Sequence, residues 1–443
     1  MKRHRWQLLG LLLTLTLAVL AAGCGGDDDE TGGGAATTAA EETTAEAVSG
    51  TVSVMAVWTG PEQASFQAVL DAFEEENPDV TVNYTSAGDQ LPTQLSTAVE
   101  GGNPPDIAVL PQPGLMRDFV EKDALQPLDF AEQDVETNLG DSAVVLGSVD
   151  DVLYGFLFKA ANKSTVWYNV GAFEDAGVDP PETWDDFLAA AETINASGLP
   201  AYSIGGADGW TLTDLFENIY LRTAGPEKYD QLSTHEIPWT DQSVKDALTE
   251  MAKIVGDTDN IVGGTSGALQ TDFPTSVSNV FAATPKGAQV IEGDFVPGVV
   301  EHGLEPETDF GVFAFPPIGE SGNVVVGGGD TVVMFEDTPA AQALIKYLTT
   351  PEAAEIWAER GGFATLAQDL DTSVYPDPIT ETTAGAIAEA EVFRFDLSDL
   401  QPAAFGGTVG QGLFKLFQDF VQNPDNVDGI TQQMETAAAE AFG

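Results

Sequence analysis

Residues 51–84 read TVSVMAVWTGPEQASFQAVLDAFEEENPDVTVNY, and this stretch decides the fold class. Its opening residues form a short apolar run that is typical of a strand. Phe66 and Phe73 then lie on one face of a predicted helix, which Asn77 and the proline after it end. Residues 79–84 alternate between apolar and polar side chains, as expected for a second strand. The stretch therefore predicts strand, helix and strand in succession.

The same order of elements continues along the chain. Residues 91–102 have a helical apolar face that ends at two glycines, and residues 106–110 form an apolar strand. Further on, Thr183 and Asp186 have the spacing of a helix-capping box, and Asp241 is placed to cap another helix. Strands that alternate with helices indicate parallel sheets covered by helices. We therefore predict an α/β fold.

The N-terminus has the layout of a secretory signal peptide, which we place at residues 1–23. Three basic residues precede an apolar run at residues 8–22. A membrane-spanning helix needs about 20 apolar residues, so a permanent anchor helix is the less favoured alternative. The small residues before Cys24, the only cysteine, resemble the lipobox of bacterial lipoproteins, although Ala21 stands where that motif usually has leucine. The resemblance implies a lipid on Cys24; an unmodified spacer cysteine is the alternative.

Residues 24–50 are rich in Gly, Thr and acidic side chains and carry almost no bulky apolar residue. Such a segment buries too little surface to order itself, and we predict a tether. The rest of the chain, from residue 51 to 443, is too long for one ordinary hydrophobic core. Two domains are therefore expected.

The chain is strongly acidic, with 71 Asp and Glu against 16 Lys and Arg and a formal charge of −55. Binding to nucleic acid depends on basic side chains that neutralise phosphates, so this composition argues against a DNA or RNA partner. The acidic residues are spread along the whole sequence. They indicate a highly solvated surface, which suits a saline habitat.

Sequence motifs for catalysis, metals and cofactors are missing. The mature chain has two histidines, His235 and His302, and neither lies in a nucleophile-elbow or zinc-protease motif. Residues 424–435 approach the pattern of a calcium loop, but Pro424 occupies the first ligand position. We predict no metal, no cofactor and no catalytic residue. A pair of carboxylates, as in glycosidases, is the one enzymatic alternative that the composition leaves.

Aromatic residues beside polar groups suggest a carbohydrate site. Trp58 lies in VWTGPE, and Trp210 lies in GWTLTD with Asp214 nearby. A flat ring offers an apolar face to the CH groups of a sugar, while carboxylates and amides bind its hydroxyls. The sequence therefore predicts sugar binding at these positions.

Each tryptophan also has an alternative role as a core residue. For Trp58 and Trp210 we favour the site. For Trp167, which lies inside a predicted strand, core and site stay open. Trp184 and Trp357 recur at helical spacing with other apolar residues, and we assign both to packing.

Several stretches resemble the extracellular solute-binding proteins of family 1, and most closely their alpha-glucoside branch. They are LSTAVEGGNPPDIAVLPQPGLMRDFV, YGFLFKAANKSTVWYN, PPETWDDF, TDLFENIYLRTAGPEKYDQL, GGGDTVVMF and FRFDLSDLQP. The resemblance runs from about residue 51 almost to the end. It implies the type II periplasmic-binding-protein fold: two α/β lobes, each a mostly parallel sheet flanked by helices, joined by three crossover segments with the ligand between them. We place lobe 1 at 51–162 plus 322–365 and lobe 2 at 163–321 plus 366–443.

The resemblance also implies the ligand-binding residues, carried over by position. They are Trp58, Glu62, Gln112, Lys159, Trp210, Asp214, Asp330 and Asp399. Two positions depart from the family pattern: Leu215 and Lys415 stand where tryptophans are frequent. The identity and size of the sugar are left open by these departures.

The expected protein is a monomeric lipoprotein receptor on the outer face of a bacterial membrane. It would close its lobes over a sugar, preferably an alpha-glucoside, and deliver it to the permease subunits of an ABC importer. The alternative functions are a receptor for another polar solute, a secreted carbohydrate-active hydrolase and a cell-wall scaffold with an inert cleft.

Overall fold

The computed structural model describes residues 48–300 and 304–443. The predicted signal peptide, Cys24, nearly all of the tether and His302 lie outside these residues. Within the described ranges, none of the helices combines the length and the apolar character that crossing a membrane requires.

Eleven strands are present in the described residues, and several are short. They are β1 (Gly50–Ala56), β2 (Val80–Ser86), β3 (Ile107–Leu110), β4 (Ser148–Val149), β5 (Val152–Leu153), β6 (Gly155–Asn162), β7 (Thr165–Asn169), β8 (Gln289–Ile291), β9 (Phe310–Ala314), β10 (Val324–Met334) and β11 (Val392–Phe395).

Helices surround the strands, and two of them begin directly after the capping residues that the sequence predicts. They are α1 (Gly60–Glu76), α2 (Leu91–Glu100), α3 (Pro113–Glu121), α4 (Glu132–Leu139), α5 (Asp141–Gly147), α6 (Val170–Ala176), α7 (Trp184–Ala196), α8 (Trp210–Ala224), α9 (Pro226–Ser233), α10 (Gln242–Val255), α11 (Gly264–Gln270), α12 (Phe273–Phe281), α13 (Pro339–Leu348), α14 (Pro351–Ala358), α15 (Pro378–Glu389), α16 (Ala403–Gly406), α17 (Gly412–Gln422) and α18 (Val427–Phe442). The Thr183 hydroxyl accepts the Asp186 N–H at the start of α7, and the Asp241 carboxylate accepts the Ser243 N–H at the start of α10.

The larger sheet has the order β11-β10-β3-β1-β2. β6 also pairs with β10, along the edge opposite to β3. β1 pairs in parallel with both β2 and β3, as the alternation of strands and helices in residues 51–110 predicts. β10 runs antiparallel to β3 and to β6 and parallel to β11. The sheet is therefore mixed, and the α/β class is confirmed.

The smaller sheet differs from the prediction. Its order is β8-β7-β9, and both pairings are antiparallel, whereas we predicted a mostly parallel sheet in each lobe. Parallel pairing comes from compact units in which one helix connects neighbouring strands. The strands that flank β7 come from distant parts of the chain, so no such unit sets their direction.

Two large hydrophobic cores include residues from the two ends of the long strand β10. Val332 and Met334, near its end, pack into the core that α1, α13 and α14 share with the larger sheet. Val324 and Val326, near its start, pack into the core built around α8, α10, α17 and α18. β10 thus connects the two cores, while the division of the chain into lobes at the stated residues stays a prediction.

Candidate functional site

A cavity of about 200 Å³ collects most of the predicted site residues, and we call it the Trp210 cavity. Seven of the eight predicted residues line it: Trp58, Glu62, Gln112, Lys159, Trp210, Asp330 and Asp399. Asp214 does not line the wall; it is 3% exposed and lies behind Lys163. That these residues bind a ligand stays a prediction, but the fold brings them together from distant positions.

Lys159 projects from β6 into the Trp210 cavity and is held by acidic and aromatic groups. Its Nζ lies 2.5 Å from Glu62 Oε1, and Asp330 stands opposite it in the β6–β10 pairing. The ammonium also lies over the rings of Trp357 and Phe295, at 5.1 and 5.5 Å. Burial alone would lower the pKa of Lys159, but the two carboxylates outweigh it and raise the pKa. Lys159 is therefore a fixed positive charge in the wall.

Trp58 is more deeply packed than a sugar-stacking residue would be. Its side chain is 2% exposed, and its ring lies 4.6 Å from that of Phe66 and 4.7 Å from that of Trp357. Its indole N–H donates to Asp330 Oδ2 at 3.0 Å. Burial raises the pKa of Asp330 to about 6, although Lys159 and this hydrogen bond oppose the rise. Trp58 thus orients a wall carboxylate, and its packing favours the core alternative for the ring itself.

Lys163 was not among the predicted site residues, yet it organises a second charged group, the Lys163 cluster. Its Nζ lies 2.5 Å from Asp396, 3.1 Å from Asp214 and 3.4 Å from Asp399. Lys163 and Asp399 line the cavity, and the other two lie behind them. The only sequence signal was its place in KAANKSTVWYN, between two predicted strands.

One ammonium group cannot neutralise three buried carboxylates, and the pKa values reflect this. Burial and the neighbouring acids raise the pKa of Asp214 and of Asp399 well above the usual range, against the pull of Lys163. Asp396 differs, because its pKa is lowered to about 2. Burial alone would raise this pKa, but the charge of Lys163 and hydrogen bonds from Asp214, Lys163 and the Asp399 backbone outweigh burial. Asp396 is therefore the ionised partner of Lys163, and Asp214 is harder to ionise than an ordinary aspartate.

Trp210 belongs to the aromatic side of the cavity. Its half-buried ring packs edge-on against Phe273 and Phe295, with centroids 5.2 and 6.0 Å away, and Lys163 Nζ lies 5.9 Å from its centre. Phe414 completes this side. Of the two predicted tryptophans, Trp210 is the one with ring surface left for a ligand. Its phenylalanine neighbours were missed because apolar residues at the starts of helices are indistinguishable in sequence from core residues.

Gln112 contributes a free hydrogen-bond acceptor. It lies just before α3 and is 5% exposed. Its amide N–H donates to the Gly407 carbonyl at 3.0 Å, and its Oε1 has no hydrogen-bond partner. A buried acceptor without a donor is costly, so a ligand that donates a hydrogen bond there would remove this cost.

The remaining tryptophan assignments are resolved by burial. Trp167 is fully buried, and its indole N–H donates to Thr165 and to the Gly293 carbonyl, both at 3.0 Å, which settles it as a core residue. Trp184 and Trp357 are 4% and 1% exposed, and their assignment to packing is confirmed.

Groups that suggest metal binding or catalysis lie elsewhere or are absent from the described ranges. His235 contacts Glu435 at 3.2 Å and does not line the Trp210 cavity. In residues 48–300 and 304–443, no group of three or more His, Cys, Asp or Glu side chains has an arrangement that would hold a metal ion.

Comparison with known proteins gives consistent matches over most of the chain. The family described as bacterial extracellular solute-binding protein matches residues 58–355. The osmoprotective compounds-binding protein GgtB of Synechocystis sp. is 34% identical over 370 residues, covering 82% of this chain and 87% of that protein. The alpha-glucosides-binding periplasmic protein AglE of Rhizobium meliloti is 34% identical over 394 residues, covering 85% of each chain.

Solved structures are similar over almost their entire length. The bacterial solute receptor AcbH has a TM-score of 0.77 at 19% identity, over 89% of this chain and 99% of the other. A chitin oligosaccharide binding protein has a TM-score of 0.76 at 21% identity, with the same coverage. These similarities confirm the predicted fold class.

Proposed function

The chain belongs to the bacterial extracellular solute-binding protein family, and we propose that it is the receptor of an ABC importer that binds an alpha-glucoside in the Trp210 cavity. Family membership confirms the prediction that the protein is a receptor and not an enzyme. The nature of the ligand and the place where it binds are our proposal.

The observation that carries this proposal is the combination of aromatic and polar groups in the cavity wall. Trp210 and its phenylalanine neighbours offer an apolar surface, while Glu62, Lys159, Gln112 and Asp330 offer polar groups in the same wall. Sugars present both kinds of surface, because CH groups and hydroxyls alternate around the ring. An apolar cavity with a few oriented polar groups is the usual form of a small-molecule site.

The relatives support a small polyhydroxylated ligand without selecting one compound. AglE is named for alpha-glucosides, and GgtB, at the same identity, is named for osmoprotective compounds. We favour an alpha-glucoside because the aromatic side of the cavity suits a sugar ring. A non-sugar osmolyte is the second candidate, supported by the GgtB similarity.

A ligand panel tests the proposal. Maltose, trehalose and sucrose are compared with glycine betaine and proline in thermal unfolding and titration calorimetry. A ligand that binds only the folded state contributes about 2.7 kcal/mol of stability at 100 times its Kd, so the right sugar raises Tm by several degrees. Recovery of unchanged sugar after long incubation distinguishes a receptor from the hydrolase alternative. A response to betaine alone would replace the sugar with an osmolyte, and no response at all would favour the inert scaffold.

We also propose that a lipid on Cys24 anchors the mature protein and that the acidic tether holds it near the permease. Cys24→Ala should move the protein from the membrane fraction to the medium. Equal retention of the variant in membranes would instead indicate an uncleaved N-terminal helix.

A further inference from the structure

The charged groups of the Trp210 cavity are unequal in number. Among the described residues that line it, four are acidic and two are basic: Glu62, Asp89, Asp330, Asp399, Lys159 and Lys163. The wall therefore carries an excess of carboxylates.

Both lysines are already engaged by carboxylates. Lys159 is bound to Glu62 at 2.5 Å and faces Asp330 across the β6–β10 pairing. Lys163 is bound within its cluster, with Asp396 as the nearest partner at 2.5 Å. Neither ammonium group is left as an uncompensated positive charge for an anionic ligand.

Asp89 lines the cavity, and the carboxylates of Asp208 and Asp272 are near enough to interact with it; we call these three residues the acidic rim. Asp89 lies in the turn after β2, while Asp208 and Asp272 precede α8 and α12. A hydrogen bond from the Ala207 N–H to the Thr271 carbonyl holds the latter two segments together. The carboxyl groups of Asp89 and Asp208 are close enough to titrate as a pair.

The rim carries more negative charge as the pH rises. Removal from water and the nearby carboxylates of Asp208, Asp272 and Glu62 raise the pKa of Asp89 to about 7. Below pH 7 the Asp89–Asp208 pair holds its proton, and above it the rim gains one negative charge. The unpartnered Gln112 Oε1 deeper in the wall adds another group that accepts and does not donate.

We propose that the Trp210 cavity selects its ligand by charge: it prefers glycosides that carry an ammonium group, accepts neutral ones and rejects those with a carboxylate or phosphate, and Asp89 and Asp208 determine this discrimination. The inference rests on the proposed function. One unit charge about 8 Å from another changes affinity roughly 2- to 30-fold for effective dielectric constants between 80 and 20. A cationic and an anionic ligand differ by two unit charges, so this factor in affinity applies twice between them.

Three matched probes test the proposal: the 2-aminoethyl, 2-hydroxyethyl and carboxymethyl α-D-glucosides. They share one sugar ring and differ in the charge of a short substituent. In titration calorimetry at pH 8 and low salt, we expect the aminoethyl glucoside to bind at least about tenfold more tightly than the carboxymethyl glucoside, with the neutral probe between them. The alkylamine stays protonated at pH 6 and at pH 8, so a smaller ratio of the two Kd values at pH 6 reports on the wall acids that gain a proton in this range, Asp89 and Asp330.

A pair of double variants assigns the effect to the rim. Asp89→Asn with Asp208→Asn should reduce the aminoethyl-to-carboxymethyl ratio at least about threefold and weaken its pH dependence to the part that Asp330 contributes. The control is Asp175→Asn with Asp185→Asn, two exposed acids on α6 and α7, which changes the net charge equally and should leave the ratio as in wild type. The readout is a ratio, so a loss of affinity common to all probes does not affect it.

The outcomes separate this inference from the proposed function. If the hydroxyethyl glucoside binds and the carboxymethyl glucoside binds as tightly, charge selection is wrong and the receptor function stands. An unchanged ratio in the rim variant contradicts the role of Asp89 and Asp208. If none of the probes binds, the alpha-glucoside proposal fails and this inference fails with it.

Discussion

Replacing Lys163 with methionine should destabilise the protein severely. Methionine keeps the length of the side chain and removes the ammonium group that lies 2.5–3.4 Å from three carboxylates. The Asp396 side chain is fully buried, and those of Asp214 and Asp399 are 3% and 9% exposed. Removing one partner of a buried ion pair costs about 3 to 5 kcal/mol because the other charge remains without compensation. We expect a loss of that size in the free energy of unfolding at pH 7.

The pH dependence of this loss identifies its cause. Without Lys163, the folded state raises the pKa of its buried carboxylates and so binds protons more tightly than the unfolded chain. Acids with raised pKa values stabilise the folded state at low pH, and this contribution disappears as the pH rises through the folded pKa. The destabilisation should therefore be smaller at pH 5 than at pH 8. One extra bound proton changes the free energy of unfolding by about 1.4 kcal/mol per pH unit, and we expect a difference of at least that size.

Urea unfolding monitored by tryptophan fluorescence measures both effects. Lys245→Met is the matched control, because Lys245 pairs at 2.5 Å with Asp428, whose side chain is 87% exposed, and such pairs are worth about 0 to 1 kcal/mol. Adding Asp396→Asn to Lys163→Met should recover part of the lost stability. A loss of less than about 1 kcal/mol at pH 7, or one that is equal at pH 5 and pH 8, would refute the reasoning.

Three further predictions follow from the charge and burial of the chain. Trp210→Ala should weaken binding of the cognate sugar about tenfold or more with little change in the Tm of the empty protein. The control, Trp184→Ala, should cost about 3 to 5 kcal/mol of stability. Equal Tm losses in the two variants would make Trp210 a core residue. Burial raises the pKa of Asp214, so Asp214→Asn should flatten the decline in stability between pH 5 and pH 8, and a slope equal to that of wild type would contradict this. The charge of −55 predicts a Tm that rises with NaCl up to roughly 1 M as repulsion is screened, and a flat or falling Tm would show that the acids are spaced well enough not to repel.

The elements that the sequence predicted well are those whose signals are local. The β1–α1–β2 unit follows from apolar periodicity within residues 51–84, and the Thr183 and Asp241 caps follow from side chains two or three residues from the N–H groups they accept. The antiparallel sheet around β7 could not be predicted in this way. Its pairings join segments far apart in the chain, and periodicity carries no information on which segments become neighbours.

The site was predictable only where the family resemblance supplied positions. Lys163 and Asp396 are 233 residues apart, and in sequence each resembles any other charged surface residue. Only the fold brings them within an ion-pair distance. Trp58 shows that local sequence context can also suggest a different role. Its polar neighbours suggested that the ring stacks on a sugar, but in the structure the ring is buried and its N–H donates to Asp330.

The position of the two lysines explains how a cavity rich in carboxylates is compatible with a stable fold. Lys159 lies in β6 opposite Asp330 of β10, and the Lys163 N–H, just beyond β6, donates to the Val326 carbonyl of β10. The positive charges that compensate the wall are thus fixed to strands whose backbones hydrogen-bond to each other and connect the two cores. Carboxylates contributed by separate segments converge on these two ammonium groups, so assembly of the cavity depends on the same strand pairing that joins the cores. A substitution at either lysine is therefore expected to act on folding before it acts on ligand affinity.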